Sequence, residues 1–280
     1  MSYKTIGVVI TDEASDAQTL QAAIAIAKYQ EAHLEVHCLG LDPIRYDMAP
    51  LGSAPALVVA GNTEARSRAE TLEAWAQDQL SRETIGSSVQ PLVVTSVGLD
   101  SAVARFVRYS DLIIATQPYG TGSSQLQVSV LEAALFGTGA PVLVIPRVER
   151  DYSQPFDRVL VAWNESAESL EAVRKAMPAI KAADRAEIAM IDPPSHSPER
   201  SDPGGVICVM LARHGVKAEV SILSKTLPRV SEVLNRHAVD HSSDLIVMGA
   251  YGHSRFREAL IGGATRDMLE TAQVPVMMAH

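Results

Sequence analysis

Cysteines, aromatic residues and long apolar runs are all scarce in this chain. It holds two cysteines, Cys38 and Cys208, and 5% aromatic residues among 280. Two cysteines far apart and outside any CxxC pattern exclude a disulfide scaffold and predict a reducing, cytoplasmic compartment. No apolar stretch approaches the length of a membrane span, and the start of the chain leads into a strand-like run without a signal peptide. We therefore expect no membrane partner.

A net positive charge and the common catalytic motifs are lacking as well. The net charge of −9 argues against a general nucleic-acid binder. No Gly-x-Ser-x-Gly elbow or paired-carboxylate motif occurs, and Cys208 lies among apolar residues, which predicts a small buried hydrophobe rather than a nucleophile. His237 and His241 have a spacing that could ligate a metal, but no third ligand is near in sequence. A surface pair is favoured, so no metal site is predicted.

Apolar residues are plentiful, and they predict the fold class. They make up 47% of the chain, and with so few aromatics the core consists of Ala, Val, Leu and Ile. Such cores are common in α/β proteins, in which helices pack on a parallel sheet. A length of 280 residues favours two domains.

The chain contains two diverged copies of one unit. Three segments of the first copy match segments of the second: Thr5–Ile10 with Arg158–Trp163, Ser110–Ile114 with Ser243–Val247, and Ala140–Pro146 with Val274–His280. The charged stretch between the copies, Arg147–Phe156, predicts a linker. The predicted domains are residues 1–147 and 156–280.

Strand-like and helix-like segments alternate within each copy. This alternation predicts an α/β fold of two tandem units, each a five-stranded parallel sheet with helices on both faces. In such sheets, ligands bind beyond the carboxyl ends of the strands, where the strand order reverses. Among the helices, one is predicted to start at the Ser166 cap and run to Ala182, and another to open at Pro228.

A glycine-rich loop near the end of the chain is the most specific motif. Met248-Gly249-Ala250-Tyr251-Gly252 follows an apolar strand. After nine intervening residues, Gly262-Gly263-Ala264-Thr265 opens a predicted helix. Glycines there let backbone N–H groups approach an anion, and the helix N-terminus adds a favourable dipole. The spacing fits neither the dinucleotide fingerprint nor the Walker A loop. The same glycines could instead only permit a tight turn and close helix packing.

This loop resembles the nucleotide loop of universal stress proteins, Gly-x2-Gly-x9-Gly followed by small or hydroxyl residues, and the whole chain resembles a tandem member of that family. The resemblance implies an adenine nucleotide α-hydrolase-like fold and an ATP, ADP or AMP ligand, with Mg²⁺ as a candidate companion ion. It assigns nucleotide contacts to the second copy, at Ala162, Asn164, Met190, Met248, Gly249, Gly252, His253, Gly262, Gly263, Ala264 and Thr265.

Two of these positions depart from the family pattern. Asn164 stands where the family has an acidic residue; it can hydrogen-bond a ribose but offers no carboxylate to a metal. Gly263 stands where a typical member has Ser or Thr, which removes one hydroxyl and keeps the N–H. Positive charge nearby, on His253, Arg255, Arg257 and Arg266, favours an anion.

The first copy lacks the motif. Thr116 replaces the first glycine and no third glycine is in register, although Thr11 and Asp12 fall near the acidic position. We expect this copy not to hold ATP in the family's way.

Three functions remain open at this point. The first is a nucleotide-binding protein of stress response or signalling, with at most weak ATPase or autophosphorylation activity, because no general base is evident. Its two copies would form an intramolecular pseudo-dimer, with a homodimer as a further option. The second is an interaction module that binds no nucleotide. The third, an enzyme of another adenine-nucleotide α-hydrolase-like family, is disfavoured because Asn164-Glu165-Ser166 is not glycine-rich.

Overall fold

Strands and helices alternate through the computed structural model, which describes residues 2–42, 54–120, 124–193, 202–250 and 263–280. The strands are β1 (Thr5–Ile10), β2 (His33–Asp42), β3 (Ser87–Thr95), β4 (Leu112–Thr116), β5 (Val142–Ile145), β6 (Arg158–Ala162), β7 (Arg185–Ile191), β8 (Ala218–Leu223), β9 (Leu245–Gly249) and β10 (Val276–Ala279). The helices are α1 (Glu13–Gln30), α2 (Ala54–Leu80), α3 (Leu99–Val107), α4 (Gln125–Gly137), α5 (Ala167–Lys175), α6 (Met177–Ala182), α7 (Gly205–Arg213), α8 (Val230–Asp240) and α9 (Gly263–Thr271).

The chain divides into two compact units, Tyr3–Ala140 and Pro141–His280. In the first unit the strands run parallel in the order β3-β2-β1-β4. The inner strands are buried on both faces, as their continuous apolar sequences indicate. The predicted α/β class is confirmed. Within the described ranges, no helix is both long and apolar enough to cross a membrane.

The second unit has the order β5-β10-β9-β6-β7-β8. Its strands are parallel except at one place, where β5 runs antiparallel to β10 and Val276 pairs with Val144. The sequence repeat assigns β5 to the first copy as its fifth strand, whereas the tertiary contacts place it in the second unit. The domain boundaries at 147 and 156 therefore stay a prediction, and the predicted linker contains a buried Tyr152.

Helix boundaries differ from the sequence expectation at two places. The helix expected over residues 166–182 is split into α5 and α6, because Pro178 lies at the start of α6 and a proline ring clashes with the carbonyl four residues earlier. Ser166 caps α5 as predicted, its side chain accepting from the Ser169 N–H at 3.1 Å. Helix α8 begins at Val230 rather than at Pro228; the Arg229 N–H donates to the Glu232 carboxylate at 3.2 Å and sets this start.

Candidate nucleotide cleft

A cleft of about 370 Å³ lies at the carboxyl ends of β6 and β9 in the second unit. The strand order reverses between these two strands, since β7 follows β6 on one side and β9 lies on the other. Open α/β sheets bind ligands at this kind of switch point. The volume falls in the range of ~300–1,000 Å³ that small-molecule sites occupy.

The wall of the cleft is divided between apolar and polar groups. Its apolar part consists of Ala162, Trp163, Ala189, Ile191, Val230, Leu234 and Met248. Its polar part consists of Asn164, Ser166, Glu168 and Thr265, with the glycines at 249 and 263 and Ala264 beside them. An apolar surface with a few convergent polar groups suits a ligand that has a flat apolar part and a polar part.

Seven of the eleven residues predicted to contact a nucleotide line this cleft: Ala162, Asn164, Met248, Gly249, Gly263, Ala264 and Thr265. The side chain of Met190 is buried, and its neighbours Ala189 and Ile191 line the cleft instead because side chains alternate along β7. A backbone contact of Met190 stays a prediction. Gly252, His253 and Gly262 lie outside the described residues, as do Arg255 and Arg257.

Helix α9 presents its first turn to the cleft. Gly263, Ala264 and Thr265 are its first three residues and all line the wall. The first amide groups of a helix have no acceptor within the helix, and the helix dipole is positive at this end. The cleft therefore offers N–H donors and positive potential to an anion, which is how helix N-termini hold phosphate groups.

Gly249 and Gly263, the two glycines of the motif that the structure describes, have different surroundings. A Cβ on Gly249 would lie 2.7 Å from the backbone carbon of Glu168 and from the backbone nitrogen of Ser169. Gly249 is thus required for the close packing of α5 against β9. Among the residues that the structure describes, a Cβ on Gly263 would meet nothing within 4 Å. Packing against this part of the chain therefore does not require a glycine at 263, which leaves the described wall of the cleft open.

Asn164 is exposed and takes part in a local turn. Its Oδ1 accepts from the Ser166 N–H at 3.2 Å, which supports the chain as it enters α5. This contact uses one of the two lone pairs of the carboxamide oxygen, and the amide Nδ2 can donate to a ligand.

The sequence did not predict the other residues of the cleft wall. Trp163 and Ser166 flank Asn164, so their nearness in sequence was an available signal. Val230 and Leu234 belong to an apolar helix face that the sequence assigns to the core, and their place in the cleft depends on how α8 packs. The Trp163 indole N–H is buried and has no hydrogen-bond partner among the described residues.

The corresponding corner of the first unit, at the ends of β1 and β4, is filled. Its cavity measures about 10 Å³. The buried Asp16 carboxylate lies there and accepts hydrogen bonds from five groups. They are the backbone N–H and the hydroxyl of Thr11 (2.7 and 2.8 Å), the Asp12 N–H (3.1 Å), the Thr116 hydroxyl (2.6 Å) and the Gln127 amide (2.9 Å).

Neither cysteine has the environment of a nucleophile. Burial raises the pKa of the Cys38 thiol to about 12, with a smaller contribution from Glu73. Burial and the nearby Asp202 raise the pKa of the half-buried Cys208 thiol. Because only the thiolate reacts readily, both residues behave as small apolar side chains near neutral pH.

Known proteins resemble the chain in part of its sequence and over its whole fold. Residues 155–280 match the model of the Universal stress protein family. A curated universal stress protein from Synechocystis sp. is 29% identical over 138 residues, which are 49% of this chain and 46% of that protein. The match thus spans about half the length of the curated relative.

Two solved structures match nearly the full length. A universal stress protein from Archaeoglobus fulgidus DSM 4304 has a TM-score of 0.70 at 16% identity, covering 98% of this chain and 97% of that one. A functionally unknown protein from Pseudomonas aeruginosa PAO1 has a TM-score of 0.59 at 17% identity, covering 99% and 92%. Both show a shared fold.

Proposed function

We propose that this chain, whose residues 155–280 match the model of the universal stress protein family, is a member of that family and binds ATP or a related adenine nucleotide in the cleft between β6 and β9. The observation that carries the proposal is the position of the α9 N-terminus, which lines a cleft of about 370 Å³ at the point where strand order reverses.

The apolar and polar parts of the cleft wall suggest how the nucleotide is oriented. The adenine packs against the apolar side near Ala189 and Ile191, and the ribose reaches Asn164. The phosphates approach the backbone N–H groups at the start of α9, at Gly263–Thr265. Mg²⁺, where it accompanies the phosphates, receives no carboxylate from residue 164.

Binding rather than fast turnover is the proposed role, in stress response or signalling. Glu168 is the carboxylate that lines the cleft among the described residues, and it lies at the start of α5. Any ATPase or autophosphorylation activity is therefore expected to be weak. The cytoplasmic location, the pseudo-dimer of the two copies and a homodimer stay predictions.

The first unit is proposed not to bind nucleotide, and Asp16 supplies the physical reason. Its carboxylate already accepts the hydrogen bonds that the ends of β1 and β4 can offer. A phosphate would meet a buried negative charge and a cavity of about 10 Å³.

Calorimetric titration with ATP, ADP and AMP tests this proposal, with and without Mg²⁺, on protein stripped of carried-over ligand. We expect one nucleotide per chain. Gly263→Trp should weaken binding at least tenfold without unfolding the protein, since the position is open and the indole would fill the cleft. Gln125→Trp, at the first residue of α4 in the other unit, is the matched control and should bind as the wild type does.

Two results would contradict the proposal. Absence of binding in the wild type would favour the interaction module. Unchanged affinity in Gly263→Trp would remove the α9 N-terminus from the site. Two nucleotides per chain would instead show that the first unit also binds.

A further inference from the structure

A cluster of two histidines and a glutamate lies on the β7 strand and the α8 helix, apart from the residues that line the cleft. From the sequence, His237 and His241 are expected to be a surface pair with no third ligand. The structure corrects this: Glu187, fifty residues earlier, points its carboxylate at both rings, and the His237 side chain is only 11% exposed. One potential ligand atom from each residue lies within 4.8 Å of the others.

His237 lies in the last turn of α8 and His241 caps the end of that helix, which brings the two imidazoles together. Residues four apart lie on one face of a helix, and the two rings stack with centroids 3.9 Å apart and an interplanar angle of 30°. The His237 Nε2 lies 2.6 Å from the Glu187 Oε1, and the His241 Nδ1 lies 3.3 Å from the Oε2. In a tetrahedral zinc site with bonds of about 2.0–2.2 Å, ligand atoms are separated by roughly 3.3 Å. The cluster reaches that geometry with a small movement of the His237 ring.

Glu187 is an unusual residue to find in this place. It is in a β-strand and 7% exposed, where an isolated carboxylate is costly to keep charged. Its polar neighbours offset this cost: the His237 Nε2 lies within hydrogen-bond distance of Oε1, and the His241 Nδ1 lies near Oε2. The carboxylate is thus held facing both rings and is available as a ligand.

A supporting residue is also in place. The Ser221 hydroxyl, on the neighbouring strand β8, donates to the Glu187 Oε1. Metal-binding carboxylates are held in orientation by such outer hydrogen bonds. His241 is half-exposed, so an ion can reach the cluster from solvent.

We propose that Glu187, His237 and His241 form a binding site for a divalent transition metal such as Zn²⁺, with a fourth position open to water. Two imidazoles and one carboxylate are ligands that suit zinc, and three protein ligands leave one tetrahedral position free. Neutral imidazoles with one carboxylate around a divalent ion leave a single net positive charge.

Zinc titration of the chelator-treated full chain, read by a competing chromogenic chelator, tests the site. We expect the wild type to bind one Zn²⁺ that His241→Ala and Glu187→Gln bind at least tenfold more weakly. His241 is half-exposed, so its replacement should leave the fold intact. His214→Ala removes an exposed histidine at the end of α7 and serves as the matched control, with wild-type affinity expected.

Thermal unfolding gives a second measurement. Zn²⁺ should raise the Tm of the wild type and of His214→Ala but not of His241→Ala, because only a ligand that binds the native state stabilises it. Wild-type affinity in His241→Ala would overturn the proposal by showing that the metal binds elsewhere. No zinc binding by the wild type would overturn it too and identify the cluster as a hydrogen-bonded clamp between α8 and β7.

Discussion

Asp16 shows how one residue can close a potential anion site. Its buried carboxylate accepts five hydrogen bonds at the ends of β1 and β4. A buried carboxylate is costly unless hydrogen-bond donors surround it. If the carboxylate is removed, those donors are left without an acceptor inside the protein. The residue therefore contributes to stability in the same place where the second unit keeps an open cleft.

Asp16→Asn should lower the free energy of unfolding by about 2–4 kcal/mol, because the new NH₂ group would face donors that need an acceptor. Urea denaturation measures this. Asp12→Asn is the control: Asp12 is exposed and caps α1, and asparagine caps helices equally well. A loss of stability in Asp12→Asn as large as in Asp16→Asn would contradict the assignment.

His37 is a buried titratable residue on β2. Gln90 Nε2 donates to its Nδ1 at 3.2 Å, so the neutral ring carries its hydrogen on Nε2, which is buried with no partner among the described residues. Burial lowers the pKa of this imidazole to about 4. The native state thus keeps it neutral in a range where the unfolded chain takes up a proton.

The free energy of unfolding should therefore fall as the pH drops from about 6.5 towards 4. The loss expected from His37 is at most about 3 kcal/mol, since one pKa unit corresponds to about 1.4 kcal/mol. His37→Gln should flatten this part of the pH profile of urea stability. His33→Gln, at an exposed position of the same strand, should leave it as in the wild type; equal slopes in both variants would exclude His37 as the cause.

At the scale of elements, close contact between helix and strand explains a glycine that the nucleotide motif also requires. Helix α5 approaches β9 so closely that the backbone at Glu168 and Ser169 occupies the space of a side chain at 249. Gly40 of β2 is similar: a Cβ there would overlap the backbone carbonyl of Ala65 in α2. A glycine in a motif can therefore be kept for packing, for a ligand or for both.

Gly249→Ala should lower the free energy of unfolding by about 1–3 kcal/mol, because α5 must shift away from β9. Gly263→Ala should have little effect on stability or raise it slightly, since the position is open and alanine favours a helix. Chemical denaturation without nucleotide separates the two. Equal losses would show that the residues around Gly263 pack more closely than the described structure has them.

At the scale of the whole molecule, the two units share a strand order and differ at the candidate site. Asp111 accepts from the N–H groups of Lys4 and Thr5, and Asp244 accepts from those of Asp157 and Arg158. Each aspartate thus holds the first strand of its own sequence copy, β1 or β6, which supports the repeat seen in the sequence. The strand orders β3-β2-β1-β4 and β8-β7-β6-β9 are equivalent. Among the described residues, the second unit has a cleft of about 370 Å³ at this place and the first unit a cavity of about 10 Å³.

The sequence by itself determined the strands and most helices, because apolar runs, caps and prolines act within a few residues. The β1 strand and the Ser166 cap lie where those signals predict them. Strand ends and the Gly249 and Gly263 positions also follow from sequence, so the place of the candidate cleft could be predicted.

Only the tertiary structure decided which distant side chains meet. Strand order brings Thr116 to Asp16, a hundred residues away, and Glu187 to the two histidines of α8. It also gives β5 to the second unit, where it pairs with β10. These contacts depend on the packing of elements that are far apart in the chain, and no local pattern of residue types encodes that packing.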